Sequence, residues 1–568
     1  MDFHTHPLFW IWLVIFHGVA ITSESSEPLV NVPGHGVFKG TILTSSLGNK
    51  MHAYLGVPYA KPPVGDLRFK EPQPPEPFDG VWDSTYLRDL CMQHRHLYPE
   101  GHDQVYGQED CLHLNIYVPK TPSSKKKSSM DVLIVIHGGG FMFGSGRYYG
   151  PNYITDRDVI LVNINYRLGP LGFLSLEDEF APGNNGLKDQ VSALKWVNKN
   201  IEYFGGNPKS IHLTGLSAGG ASVHFHYLSP LSRGLFQRGI SVSGTALCPW
   251  ALVDKPREKA MKLAAITGCP TTSDSSAILK CLRQRPATDI VSAMSHFQVW
   301  LYNPFSPFGP VVEPKGSNKP FLPDNPFNLL SNGQFLHAPW ITTVTEHEGL
   351  YPAADWVANE ERMEHLNNRF DELVPNILHY NDTIPANLIK TTTQKIRNFY
   401  FGNNEIGMNQ REEMIQMCSD RLFLYASSKA AKLHSKFAPV YKYEFSYRGT
   451  YSITEAMIGS DEYLGIAHGD DIAYVIALSY VKPFEAKDKP ISDLLLDFYT
   501  SFMQKGIPAS KGVTWEKIQP EKDYLGYLSI ASPRNVKMAY SNDFGNEKFW
   551  DSLGLRELHN LKTYHEEL

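Results

Sequence analysis

Two kinds of stretch alternate along most of the chain: short apolar runs, and longer segments whose apolar residues recur every three or four positions. Asp131–Ile136 and Val159–Ile164 are almost continuously apolar, as strands buried on both faces of a parallel sheet are. Leu112–Val118 alternates apolar with polar, the pattern of a half-buried strand. In Asp189–Tyr203 the residues Val191, Leu194, Val197 and Ile201 fall on one helical face. Ile211–Leu216 then reads as a strand, Ala218–Leu228 as a helix and Gly239–Val242 as a strand. Further β-runs are Ile341–Glu346 and Val440–Phe445, and Leu494–Met503 is an amphipathic helix. Short β-runs fill Val37–Leu55, and Gly56–Gly65 reads as loop. Strand alternating with helix predicts a mostly parallel sheet with helices on both faces, an α/β protein. The stretch from Pro249 to Pro339, helical and loop-like, is too long for a plain connection and is expected to build walls over a site.

The chain has 568 residues, which length alone would divide into several domains. No linker, repeat or low-complexity tract supports division, so residues 24–568 are expected to form one domain. The one charge run, Lys125-Lys126-Lys127, reads as a solvated surface loop. A net charge of −6 and the lack of a basic, aromatic-rich motif give no sign of a nucleic-acid partner. Residues 1–23 carry the apolar run Leu8–Phe16 followed by small and polar residues, the pattern of a secretory signal peptide cut between Ala20 and Ser25. An uncleaved anchor is the alternative, although the run is short for a span of about 20 residues. No apolar tail marks a C-terminal membrane anchor. The ending His565-Glu566-Glu567-Leu568 is one residue away from a His-Asp-Glu-Leu retrieval signal, so retention in the endoplasmic reticulum competes with secretion.

The cysteines fit an oxidising compartment. Cys91 with Cys111, and Cys269 with Cys281, are near enough in sequence to close local loops, while Cys248 and Cys418 are left over and read as free and buried. Asn381-Asp382-Thr383 is a glycosylation acceptor.

Chemistry concentrates where the alternating pattern turns sharply. Gly215-Leu216-Ser217-Ala218-Gly219 joins the strand Ile211–Leu216 to the helix that follows. Such a turn needs small neighbours, lifts the serine hydroxyl into open space and aims new helix N–H groups at the same place. Alone, this five-residue pattern arises by chance in a chain with 44 glycines. A second piece supports it: His137-Gly138-Gly139-Gly140-Phe141 directly follows the buried run Asp131–Ile136, where glycines let N–H groups face a substrate oxygen. An acid and then a base should follow in chain order. Glu346 and Glu348, in Val344-Thr345-Glu346-His347-Glu348-Gly349, both qualify as the acid; Glu348 sits beside a glycine that could aim it inward. Of the later histidines, His365, His379, His434, His559 and His565 read mostly as surface groups. His468, in Gly465-Ile466-Ala467-His468-Gly469-Asp470-Asp471, has the best setting, with its two aspartates suited to the first turn of a following helix. No metal-ligand spacing stands out, and His224-x-His226 reads as two residues of a helix; no cofactor is expected.

These segments carry a resemblance. Together with Gln108–Asn115, Asn184–Gln190 and Phe204–Pro208, they resemble the type-B carboxylesterase/lipase family of the α/β-hydrolase fold, from about Val32 to Asp551, and within it insect secreted carboxylesterases of the venom or antennal kind. The resemblance implies Ser217 as nucleophile, Glu348 rather than Glu346 as acid, His468 as base, and the N–H groups of Gly139, Gly140 and Ala218 as the oxyanion hole. It implies Trp250 in the acyl pocket, with Phe141 and Leu216 beside it, and disulfides Cys91–Cys111 and Cys269–Cys281. The implied substrate is a small, uncharged, fairly apolar ester. Cholinesterases resemble one another in a tryptophan between the first two cysteines and an acidic residue before the serine; Met92–Asp110 holds no tryptophan, and Leu216 precedes the serine. Juvenile hormone esterases usually have Gly-Gln-Ser-Ala-Gly, from which Leu216 departs. Hormone hydrolysis is therefore the alternative activity, and a non-catalytic adhesion role the alternative class.

Overall fold

The protein is described from a computed structural model, covering residues 27–95, 105–120 and 130–555. The expected signal peptide, Lys125–Lys127, His559 and the C-terminal His565–Leu568 lie outside the described residues.

Eleven strands form one sheet. In chain order they are β1 (Thr41–Thr44), β2 (Lys50–Pro58), β3 (His113–Pro119), β4 (Met130–Ile136), β5 (Ile160–Ile164), β6 (Gly206–Leu216), β7 (Arg238–Val242), β8 (Trp340–Thr345), β9 (Val440–Phe445), β10 (Leu525–Ser532) and β11 (Asn535–Ser541). Their spatial order is β11-β10-β9-β8-β7-β6-β4-β5-β3-β2-β1. From β5 to β10 every neighbouring pair is parallel; β1, β2, β3 and β11 join antiparallel at the two edges. This is the α/β-hydrolase architecture that the alternating pattern and the resemblance implied, in one domain.

The buried strands behave as their composition requires. Val132 to Ile136 and Ile160 to Leu161 are all fully buried, because helices cover both faces of a parallel sheet. The helices that frame the site are α1 (Asn185–Asn200), α2 (Ala218–Leu228), α3 (Leu350–Val357), α4 (Tyr425–Ser435), α5 (Ile453–Ile458) and α6 (Lys489–Lys505). Several expected boundaries shift by a few residues: β2 runs on to Pro58 into the expected loop, and α1 begins at Asn185. The segment between Pro249 and Pro339 consists of short helices and loops, as its pattern indicated.

Both local cysteine pairs are bridged, Cys91–Cys111 and Cys269–Cys281, and Cys248 and Cys418 are free and buried. Asn381 lies half-buried in the turn before the helix Ala386–Phe401, its N–H donating to Pro375 O at 3.2 Å. Among the described residues no helix is long and apolar enough to cross a membrane.

Candidate active site

In an open parallel sheet, functional loops gather beyond the carboxyl ends of the strands. Three such ends converge here. β6 ends at Leu216, and Ser217 follows with φ 60° and ψ −120°. That is a strained conformation for a serine, held because the turn is packed from all sides. A Cβ on Gly219 would lie 2.0 Å from Ile136 O, so only glycine lets α2 start this close to β4. Beyond β4, Gly139 has φ 105°, and a Cβ there would lie 2.1 Å from Phe143 O. The loop doubles back: Met142 and Phe143 donate N–H bonds to Gly139 O at 2.9 and 3.1 Å. Among the described residues, nothing accepts the N–H of Gly139, Gly140 or Ala218. These three donors remain available to a ligand oxygen.

β8 ends at Thr345, and the chain turns at once. Thr345 N–H donates to Glu348 Oε1 at 2.8 Å, which folds the carboxylate inward. In an extended chain Glu346 and Glu348, two residues apart, would project on the same side. The turn separates them: the side chain of Glu346 is about half exposed, while Glu348 is fully buried. Glu348 Oε2 accepts from His468 Nδ1 at 2.6 Å, and the pair is shielded from solvent. With Nδ1 committed as donor, Nε2 of His468 is the free ring nitrogen, buried and without a hydrogen-bond partner among the described residues.

The loop carrying His468 is pinned from several directions. His347 N donates to Ile466 O at 3.0 Å, and Ile466 N returns a bond to His347 Nδ1 at 3.2 Å. Phe423 and Tyr351 cover the imidazole, with ring centroids 4.6 and 5.3 Å away. The helix expected after His468 is only the 3-10 turn Ile472–Tyr474, capped by Asp471. Asp470 faces elsewhere, towards Ser452, Ile453 and Ala467. A helix cannot extend here because the chain goes straight into the short strand Ala477–Leu478, paired with Tyr149–Gly150.

Beneath the site lies a set of buried ionisable groups. Burial raises the carboxyl of Asp471 to about 6, and the nearby Glu348 charge adds to the effect. Asp471 accepts from Tyr443 at 2.7 Å and Thr343 at 2.9 Å. Burial lowers the ammonium of Lys442 to about 7. Its Nζ donates to Ser427 Oγ at 2.7 Å.

Ser217, His468, Gly138 and Gly139 open onto one cavity of about 310 Å³. Leu216, Phe143, Tyr351, Ile453 and Met457 give it an apolar wall, and Arg95 supplies a charge. Of the three expected pocket residues, Leu216 lines the cavity, but Phe141 and Trp250 do not. Phe141 is fully buried against Phe173. Trp250 is 1% exposed, donates to Leu422 O at 2.9 Å and packs on Phe423 at 5.8 Å. Both form an aromatic layer behind Phe423, which itself touches His468. The resemblance assigns both rings to the acyl pocket, whereas in this structure packing seats them away from the cavity that Ser217 lines. Tyr351, Phe423 and His347 went unnoticed in the sequence; their nearness to Glu348 was the one available signal for Tyr351 and His347. His434, expected at the surface, is instead fully buried against Trp340 and His224, because α4 packs its face on the sheet.

A mostly parallel sheet that delivers a strained serine turn, an N–H-rich glycine loop and a buried Glu–His pair to one cavity defines an α/β hydrolase. The carboxylesterase family matches residues 26–548, and the chain belongs to that family. It is 43% identical to venom carboxylesterase-6 of Apis mellifera over 93% of this chain and 95% of that one. It is 42% identical to a carboxylic ester hydrolase of Bombus ignitus over 92% and 93% of the two chains. Among solved structures, juvenile hormone esterase from Manduca sexta with OTFP covalently attached superposes with a TM-score of 0.81 at 30% identity, covering 93% of this chain and 99% of that one. The protein is accordingly an enzyme, a carboxylic ester hydrolase.

Proposed function

We propose that the enzyme cleaves uncharged, fairly apolar esters through an acyl-enzyme on Ser217, with His468 as base and Glu348 as the acid that orients it. The buried 2.6 Å contact between Glu348 and His468 carries this reading, because it leaves Nε2 free to take a proton at the cavity that Ser217 also lines. The resting side chains of Ser217 and His468 share no hydrogen bond within 3.5 Å, a looseness common before substrate binds.

In the first half-reaction Ser217 Oγ attacks the ester carbonyl while its proton moves to Nε2. Glu348 keeps the tautomer and stabilises the imidazolium. The carbonyl oxygen becomes an oxyanion facing the N–H groups of Gly139, Gly140 and Ala218, each worth about 3 kcal/mol in the transition state. Collapse expels the alcohol, protonated by His468. Water then attacks the acyl-enzyme by the same route and releases the acid. The apolar wall of Leu216, Phe143, Ile453 and Met457 supports the substrate class. Hydrolysis of a hormone ester is the second reading, favoured by the likeness to the Manduca sexta enzyme and disfavoured by Leu216 beside the serine.

We also infer that residues 1–23 are a signal peptide and that the enzyme enters the secretory pathway; the two disulfides support this, since such bonds persist in oxidising compartments. Deleting His565–Leu568 and measuring secretion separates export from retrieval. Glycosylation at Asn381 is open to a mobility shift on deglycosylation. For the chemistry, Ser217→Ala should lower turnover of a nitrophenyl ester by several orders of magnitude with folding intact; unchanged turnover would overturn the assignment.

A further inference from the structure

One wall of the cavity is formed by Ile453, Ala456 and Met457, all on α5. This helix is only six residues long. Its own sequence already closes its start: Ser452 Oγ accepts from Thr454 N at 3.3 Å, and Glu455 reaches back to Ser452 N at 3.3 Å. A further cap is unnecessary for a helix this short, yet a carboxylate from the base-bearing loop supplies one. Asp470 is 7% exposed and does not line the cavity. Its Oδ1 accepts from Ile453 N at 2.8 Å and from Ser452 Oγ at 3.1 Å. Its Oδ2 accepts from Ser452 Oγ at 2.8 Å and from Ala467 N at 2.8 Å. One carboxylate thus holds the first N–H of the wall helix and the N–H just before His468.

The junction is also tight. A Cβ on Gly469 would meet Leu216 Cδ1 at 2.9 Å and Ile453 Cδ1 at 3.0 Å. The side chains of Leu216, before the nucleophile, and of Ile453, on the wall helix, therefore pack directly on the backbone of Gly469. An ester that presses on Ile453 or Met457 pushes against α5. That push is resisted because Asp470 ties the first N–H of α5 and the N–H before His468 to one side chain.

We propose that Asp470 is a positioning residue that fixes the α5 wall against the loop of His468 and so sets which ester sizes are cleaved. The proposal rests on the Ser217 reading given above. A short acyl group meets only the serine turn and the glycine loop, so it does not need the wall. A long one needs the wall held at a fixed distance from the imidazole. Asp470→Asn keeps the shape but replaces one acceptor oxygen with a donor NH₂, so one end of the link is released.

The test measures kcat and KM for nitrophenyl acetate and nitrophenyl octanoate in wild type, Asp470→Asn and Ser452→Ala. In Asp470→Asn the octanoate-to-acetate ratio of kcat/KM should change at least tenfold, with kcat on acetate within threefold of wild type. Ser452→Ala, which keeps the bonds to Ile453 and Ala467, should move the ratio in the same direction by about two- to fivefold. A ratio within twofold of wild type in both variants overturns the proposal, and so does an equal loss on both esters. If Asp470→Asn fails to fold, Ser452→Ala decides alone, and an unmoved ratio there overturns the proposal. Ser217→Ala run beside them keeps the two readings apart: turnover that survives it sinks the serine mechanism, whereas Ser217-dependent turnover with an unmoved ratio sinks only the role of Asp470.

Discussion

Mild acid is expected to destabilise this protein by charging histidines that the fold keeps neutral. His434 is fully buried, with Trp340 stacked 4.9 Å away, and burial lowers it to about 3. His212 and His226 are lowered by burial to about 3, and His137 to about 4. His224 and His379 shift in the same direction. In the unfolded chain each titrates near 6.5. Above that pH these groups are neutral in both states and have no effect. Below it, the unfolded chain binds protons that the folded one refuses, so stability falls from pH 6.5 down to the folded values, by about 1.4 kcal/mol per histidine per pH unit. Buried carboxyls act in the opposite sense. Burial raises Asp470 to about 7, and Asp420 and Asp471 to about 6. The folded state therefore takes up protons there first and gains stability as pH falls towards the ordinary carboxyl range; Asp189 and Glu444 add to this side. At pH 5.5, relative to pH 7.5, the four histidines with stated values cost about 6 kcal/mol and the three aspartates offset about 3 to 4 kcal/mol. The net loss of about 2 kcal/mol, before His224 and His379, is large against a total stability of about 5–15 kcal/mol. Urea unfolding at the two pH values measures it directly. His434→Phe keeps the ring stacking and removes one titration, so its loss on acidification should be smaller by about 1.4 kcal/mol. Equal or greater stability at pH 5.5, or an unaltered pH slope in His434→Phe, would refute the reasoning.

Two further predictions concern the site and its frame. Glu348→Gln should lower kcat by about 10³- to 10⁴-fold, because an amide cannot hold the imidazole tautomer or stabilise the imidazolium, while Glu346→Gln should stay within about twofold; steady-state kinetics in which both variants lose equally would show that the wrong carboxylate was chosen. Replacing Cys269 and Cys281 together by serine opens the bridge across 12 residues and should lower stability by about 2–4 kcal/mol, read as a lower Tm, with kcat unchanged.

The elements that the sequence determined are those governed by local sterics and solvation. A run such as Val132–Ile136 has no polar face, so it can only be a strand covered on both sides. The serine turn and the glycine loop are legible because backbones that approach to 2 Å of a Cβ admit only glycine, and the two disulfides because their cysteines are close along the chain. The bottom-up reading left Glu346 and Glu348 open, and only the turn after β8, closed by the Thr345–Glu348 bond, buried one and exposed the other. The same holds for Trp250, which a resemblance placed in the pocket and packing placed behind it. Asp470 looked like a helix-start residue, since its neighbours are local; its partners Ser452 and Ile453 come from another element. His434 looked polar and peripheral until α4 laid it against the sheet. Local pattern decides which backbone forms, because it acts through neighbours a few residues away. Which side chain faces the cavity, which is sealed in the core and which carboxylate meets a histidine depend on contacts between residues far apart in the chain, and these exist only once the sheet and its covering helices have assembled.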